Sequence, residues 1–176
     1  MKRSIRRVIA AAVALMATAC DDGPASNLSF TTTPDVWSIT QSVGSAGPVE
    51  VAVLGEPFGD PSDRAAAIVA DALGGAFTEP WLRFEPIGDK TNVPSARLVW
   101  LFDPAPGYNA DLVCGATPPK THVTGESPIN IRAVFCNRKR PIAAVHGWMK
   151  RPADPNDGRF RILLQQMGRQ ALTGRG

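Results

Sequence analysis

The run Arg97–Phe102 constrains the fold of this chain more than any other stretch. It reads Arg-Leu-Val-Trp-Leu-Phe, so an extended chain would carry apolar side chains on both of its faces. A strand of this kind needs an apolar cover on each side, which is typical of a central strand in a layered protein. The proline-rich stretch that begins at Asp103-Pro104 ends the run.

Two helices are predicted from the same kind of start signal. Residues 60–63 (Asp-Pro-Ser-Asp) and 154–157 (Asp-Pro-Asn-Asp) each offer a capping side chain and a proline that is preset for the first helical turn. The first helix ends at Gly74-Gly75. The second carries an apolar stripe from Phe160 to Leu172 and polar residues on its other side.

Several stretches have the composition of strands. We expect an edge strand over residues 36–43, a strand over residues 49–54 and a hairpin whose turn lies at residues 137–140. Residues 81–87 are a short extended candidate, and residues 109–114 a helical turn. The predicted fold class is α+β, with a mixed or antiparallel sheet of four to five strands and two helices packed on one face.

The first 19 residues have the layout of an export signal. Lys2, Arg3, Arg6 and Arg7 precede an apolar run, and the small residues Ala17-Thr18-Ala19 follow it. The largely apolar part, residues 8–19, is too short to span a bilayer as a helix, which takes about 20 residues. These features predict a signal peptide that is removed from the mature chain.

Residues 17–20, Ala-Thr-Ala-Cys, resemble the lipobox of bacterial lipoproteins, although Ala17 stands where that family usually has leucine. The resemblance implies that Cys20 is acylated, becomes the mature N-terminus and anchors the protein to the inner or outer membrane of a Gram-negative envelope, with its domain in the periplasm. The alternative is a secreted protein with a free Cys20. The expected domains are a signal peptide (1–19), a flexible tether (20–34) and one α+β domain (35–176).

The mature part is also loosely similar to small uncharacterised lipoproteins of proteobacteria. The likeness rests on a Trp-bearing strand that ends in Asp103-Pro104, a cysteine after a loop of glycine and proline, and a capped amphipathic helix at the C-terminus. This resemblance implies no particular function.

The cysteine count agrees with lipidation. Of the three cysteines, Cys114 and Cys136 remain as a pair once Cys20 carries lipid, and an oxidising compartment favours a disulfide between them. Metal binding with His122 and His146 is the alternative. No close Cys-x-x-Cys or His-x-x-x-His spacing is present, so neither a metal site nor any cofactor is predicted.

Charge is distributed unevenly along the mature chain. Residues 20–126 hold 14 acidic and 5 basic residues, whereas residues 127–176 hold 2 acidic and 10 basic residues. The two parts could neutralise each other within one domain, or the basic part could contact anionic lipid or an acidic partner. The basic residues lack the interleaved aromatics that stack bases, so no nucleic-acid partner is expected. The candidate partner-binding residues are Arg138, Lys139, Arg140, Trp148, Lys150 and Arg151.

No sequence motif of an enzyme is present, and no catalytic residue is predicted. Gly-x-Ser-x-Gly is absent, and both cysteines after Cys20 are assigned to the disulfide. His146 is expected to be a core or half-buried histidine with a backbone partner, and His122 a loop residue. We therefore expect a non-enzymatic binding or envelope-assembly domain. The alternative is an envelope hydrolase that uses His146 or His122.

Overall fold

The computed structural model describes residues 23–59, 61–87, 96–115 and 127–176. The signal peptide, Cys20 and His122 lie outside these ranges. The described strands are β1 (Ala25–Thr31), β2 (Val49–Leu54), β3 (Phe84–Pro86), β4 (Ala96–Phe102), β5 (Ile129–Asn137) and β6 (Arg140–Met149). The described helices are α1 (Val36–Ala46), α2 (Ser62–Gly74), α3 (Ala110–Val113) and α4 (Gly158–Thr173).

The strands form one mixed sheet in the order β1-β6-β5-β4-β2-β3. Strand β2 runs parallel to β3 and β4, and the other pairs are antiparallel. The α+β class is confirmed, and so is the hairpin that β5 and β6 form. The sheet has six described strands rather than four to five. Strand β1 was not predicted, and β3 lies within the short extended candidate at residues 81–87.

Strand β4 is the central, doubly covered strand that its sequence predicts. Every one of its seven residues is buried. Leu98 and Trp100 belong to the larger apolar cluster, on the side of the long helices, and Val99 and Leu101 belong to a smaller cluster on the other side. The two clusters explain why this run has no polar face.

The two faces of the sheet are covered unequally. Helices α1, α2 and α4 all contribute to the larger cluster on one face, so the two predicted helices share that face with a third one. The other face is covered by α3 and the residues around it, including Tyr108 and Cys114. Within the described part of the chain, the sheet face along β5 and β6 therefore has a thinner cover than the helical face.

Both predicted helix starts are close to the observed ones. Helix α2 begins directly after Pro61, with Asp63 in its first turn. Helix α4 begins after Asp157, whose side chain accepts a hydrogen bond from the backbone N–H of Arg159 at 2.8 Å. It ends at Gly174, which adopts the left-handed conformation with φ of 67°. Asp60 lies outside the described residues.

The predicted edge strand over residues 36–43 is wrong, because this stretch forms α1. Asp35 caps the helix by accepting a hydrogen bond from Ser38 N–H at 3.1 Å. The buried residues Val36, Thr40 and Gly44 recur every four positions, which is a helical spacing. Gly44 is needed there, since a Cβ atom would lie 2.9 Å from a ring atom of Trp81.

The predicted flexible tether over residues 20–34 is wrong for residues 25–31. Residues 25–31 form β1, which pairs antiparallel with β6 and begins where Ala25 faces Trp148. The Ser26 hydroxyl also donates a hydrogen bond to Gln170 of α4 at 2.8 Å. The stretch has no clear apolar alternation because it is a half-exposed edge strand with a bulge between Leu28 and Phe30. The folded domain therefore includes residues before 35.

Candidate functional site

The six predicted partner-binding residues lie at opposite ends of the β5–β6 hairpin. Arg138, Lys139 and Arg140 form its turn, and Trp148, Lys150 and Arg151 lie at or beyond the far end of β6. The ten residues of β6 separate the two groups by about 30 Å at the usual rise of a strand. The six residues therefore form two surfaces, which we call the hairpin tip (138–140) and the open end (148–151).

The hairpin tip is a fully exposed cationic turn. All three of its residues are exposed, and Arg138 has a φ of 55° in the left-handed region. The tip borders Ser42, Val43 and Ala46 near the C-terminus of α1. Cations are favourable near the negative end of a helix dipole, so this arrangement has a structural reason of its own.

A cleft of about 440 Å³ lies near the open end, on the thinly covered face of the sheet. One wall is the chain that follows β4, and the other is formed by β5, β6 and the residues before β5. Its described lining consists of Asp103, Pro104, Ala105, Pro106, Gly107, Tyr108, Ser127, Pro128, Asn130, Arg132 and His146.

Asp103 fixes the inner end of this cleft. One carboxylate oxygen accepts a hydrogen bond from Asn130 N–H at 3.0 Å, and the other pairs with the guanidinium of Arg151. The backbone N–H of Asp103 donates to the Asn130 carbonyl at 2.8 Å. Asp103 is buried and has a φ of 45°, a conformation that aspartate tolerates better than most residues. These contacts give Asp103 a structural role.

Arg132 places a second positive charge in the cleft. Its guanidinium lies over the ring of Tyr108, with the carbon atom 5.4 Å from the ring centroid, and one nitrogen donates a long hydrogen bond of 3.5 Å to Ser29. Within the described ranges it makes no ion pair with a carboxylate. Burial raises the pKa of the Tyr108 hydroxyl, while the Arg132 charge acts in the opposite direction.

His146 lies directly across from Arg132 in the β5–β6 pairing. Its Nε2 is 3.4 Å from Oδ1 of Asn130, and its ring centroid is 5.0 Å from that of Trp148. Burial, and then the Arg132 charge, lower the pKa of His146. The histidine is half-buried as expected, but its partner is a side-chain amide rather than the expected backbone group.

The predicted disulfide between Cys114 and Cys136 is confirmed, with Cα atoms 5.6 Å apart. It joins the end of α3 to β5 and belongs to the smaller apolar cluster. Arg97 lies beside it and donates hydrogen bonds to the carbonyls of Cys114, at 2.5 Å, and Gly115, at 3.1 Å. Burial lowers the pKa of Arg97, and the nearby Glu50 opposes that shift.

Two further observations concern the described ranges alone. They contain no group of three or more histidine, cysteine, aspartate or glutamate residues that is placed to hold a metal ion. Among the helices in those ranges, none combines the length and apolar character that crossing a membrane requires. The alternative metal ligand His122 lies outside them.

The cleft residues Tyr108, Asn130 and Arg132 were not singled out from the sequence. Arg132 alternates with buried neighbours along β5 and would pass for an ordinary outward-facing charge. The predicted hairpin gave only part of the signal, because regular pairing from a turn at residues 137–140 would place Arg132 opposite Val145. An irregularity between Phe135 and Cys136 shifts the register by one residue and brings Arg132 opposite His146. Tyr108 lies in an irregular connection between β4 and α3. Its position beside Arg132 could not be predicted from a helical or strand periodicity.

The fold and the cleft define a six-stranded α+β domain with one covalently braced face. No protein-family model and no curated protein sequence matches the chain. Among solved structures, a variant form of the PelC dodecamer from Paraburkholderia phytofirmans is similar over 87% of this chain and 99% of its own, with 8% identity and a TM-score of 0.47. A second PelC dodecamer structure from the same organism covers 85% and 95%, with 9% identity and a TM-score of 0.42. Likeness at this level assigns neither a family nor a function to the chain.

Proposed function

We propose that this protein is a lipid-anchored, non-enzymatic binding domain of the cell envelope, with its lipid on Cys20 and its cleft near the membrane surface. The observation that carries the proposal is the start of β1 beside Trp148. That position leaves a short chain between the proposed lipid and the folded domain.

The anchor geometry follows from chain length. Ala25 is five positions after Cys20, and a fully extended chain over that interval spans about 17 Å. The lipid would therefore hold the open end, with Trp148 and Lys150, close to the headgroups. Trp148 is 36% exposed, and an amphipathic ring beside lysine suits an interfacial position.

The disulfide supports export of the chain. Cys114 and Cys136 are bonded to each other, so the pairing leaves Cys20 as the remaining cysteine. Disulfides of this kind persist in oxidising compartments such as the periplasm. Both facts agree with a leader over residues 1–19 that is followed by a lipidated cysteine.

A binding role has more support than the alternative of an envelope hydrolase. The nearest hydrogen-bonding partner of His146 is the Asn130 amide, whereas a general base is usually oriented by a carboxylate. Asp103, the buried carboxylate of the cleft, is held by Arg151 and the Asn130 backbone. These groups are arranged to be rigid, which suits recognition.

The hairpin tip is the proposed contact for an envelope protein. If the open end lies at the membrane, the tip would project about 30 Å away from it along β6. Arg138, Lys139 and Arg140 would then meet an acidic surface on a partner in the periplasm.

Two measurements test the anchor. We expect the intact mass of the mature protein to carry a diacylglyceryl modification at Cys20, and the protein to fractionate with membranes. The Cys20→Ala variant is expected in the soluble periplasmic fraction, and a Cys114→Ala/Cys136→Ala variant is expected to keep the lipid mass. An unmodified Cys20 in the mature wild-type protein would overturn the proposal.

A further inference from the structure

The charges of the cleft do not cancel. Asp103 is engaged by Arg151, so its negative charge is already matched. Arg132 adds a positive charge, and within the part of the chain that the structure describes its recorded contacts are the Tyr108 ring and the Ser29 hydroxyl. Among the described residues, Arg132 is therefore a positive charge of the cleft beyond the Asp103–Arg151 pair.

Neutral donors surround this charge. No hydrogen bond joins the Tyr108 hydroxyl to another described residue. A phenol is protonated at neutral pH, and burial raises the pKa of Tyr108 further. His146 faces Arg132 across the β5–β6 pair, and Asn130 lies two residues before Arg132 on the same face of β5. A guanidinium with most of its N–H groups available, next to a phenol and an imidazole, is suited to bind an oxyanion.

We propose that Arg132, Tyr108 and His146 form a binding site for a phosphate group. Arg132 would supply the charge and paired N–H donors, and the Tyr108 phenol would supply one more donor. The neutral His146 ring has a single N–H, which faces Oδ1 of Asn130, so His146 lines the site without donating to the ligand. The cleft volume of about 440 Å³ can hold a phosphate ester with part of its substituent. This inference specifies what the cleft of the proposed binding domain would bind, and it therefore rests on the proposed function.

The phosphate could come from two sources. The cleft is at the same end of the hairpin as the start of β1, so a phospholipid headgroup would be within reach if Cys20 is lipidated. A free phosphate ester of the periplasm would use the same donors. The two sources share their chemistry and differ in whether a membrane is needed.

The first test titrates inorganic phosphate into the secreted Cys20→Ala form of the full chain, followed by two-dimensional NMR of backbone amides and histidine rings. We expect saturable shifts confined to Tyr108, Asn130, Arg132 and His146. The Arg132→Gln variant is expected to bind at least about tenfold more weakly, since it loses a charged hydrogen-bond partner. Arg175→Gln, which removes an exposed arginine after α4 and outside both proposed surfaces, is the matched control and should bind as the unsubstituted form does.

Two further variants guard against loss of folding. Arg132→Lys keeps the charge but loses the paired donors, and we expect an intermediate, several-fold weakening. Tyr108→Phe keeps the ring under Arg132 and removes only the hydroxyl, so it should weaken binding while the amide spectrum of the rest of the domain stays unchanged.

The second test distinguishes the sources by flotation of the same Cys20→Ala form with vesicles of phosphatidylcholine alone or with phosphatidylglycerol. Binding to phosphatidylglycerol vesicles that Arg132→Gln abolishes and Arg175→Gln leaves intact supports the site with a lipid as its source. Saturable binding of free phosphate without vesicle binding supports a soluble ester. Equal losses in the two arginine variants, or no binding in either test, would overturn the phosphate site. Because neither test needs the lipid on Cys20, such a result would leave the anchor standing.

Discussion

The two ends of the β5–β6 hairpin differ in how they are held and in what they present. Near the tip, the Cys114–Cys136 disulfide ties the end of α3 to β5, and the turn beyond it offers exposed cations. At the open end, the Asp103–Arg151 ion pair closes one side of a cleft that contains Arg132 and His146. The comparison teaches that basic residues which look alike in the sequence play different roles. Those of the tip are exposed, whereas Arg151 forms an ion pair and Arg132 lines a cleft.

The largest expected effect concerns the brace near the tip. The double substitution Cys114→Ser/Cys136→Ser removes a cross-link between residues 22 positions apart and is expected to lower the free energy of unfolding by about 3 kcal/mol. Urea denaturation measures this effect, and the wild type under reducing conditions should lose a similar amount. An unchanged midpoint would show that the disulfide does not brace this end.

The next effect concerns the open end. Asp103→Asn leaves Arg151 without its carboxylate and weakens the bond to Asn130 N–H, so we expect a loss of about 2 kcal/mol in the free energy of unfolding. Asp111→Asn, at an exposed position in α3, is the control and should change stability by less than about 0.5 kcal/mol. Equal losses in the two variants would contradict the structural role of Asp103.

A smaller effect should appear as a dependence on pH. The pKa of His146 lies below its usual value of 6.5, so the unfolded chain binds more protons as the pH falls through that value. Stability is therefore fully present above about pH 6.5 and declines as the pH falls towards the pKa of the folded state. Urea midpoints for His146→Gln should decline less over this range than those of the wild type. Parallel pH profiles would contradict the assignment.

The smallest effect on stability is expected at the hairpin tip. Replacing Arg138, Lys139 and Arg140 by glutamine should change the free energy of unfolding by less than about 0.5 kcal/mol, because all three are exposed. The same variant should lose any envelope partner that is captured by crosslinking of the wild type in cells. Retention of that partner would place the contact elsewhere on the domain.

The central strand and the long helices could be predicted because their signals are local. Strand β4 is apolar on both faces, and α4 combines a capping aspartate with a helical stripe. Helix α1 and strand β1 could not, because their short stretches carry mixed residues and owe their structure to partners elsewhere. Thr40 donates to Leu172 at 2.7 Å, and β1 depends on pairing with β6.

The disulfide and the cleft differ in the same way, because one could be predicted from the sequence and the other could not. Counting cysteines was enough to predict the pair Cys114 and Cys136, since few combinations exist. The cleft combines Arg132 and His146, which meet through strand register, with Tyr108, which arrives from an irregular connection. Contacts of that kind depend on the whole fold, and no periodic pattern in the sequence predicts them.

The most direct test of the account measures which end of the hairpin faces the membrane. Fluorescent labels at Lys150→Cys and Lys139→Cys, two exposed lysines at opposite ends, would be compared in the lipidated protein reconstituted into vesicles with nitroxide-bearing lipids. We expect strong quenching of the label at position 150 and weak quenching at position 139. Stronger or equal quenching at position 139 would contradict a cleft that is held at the membrane surface by Cys20.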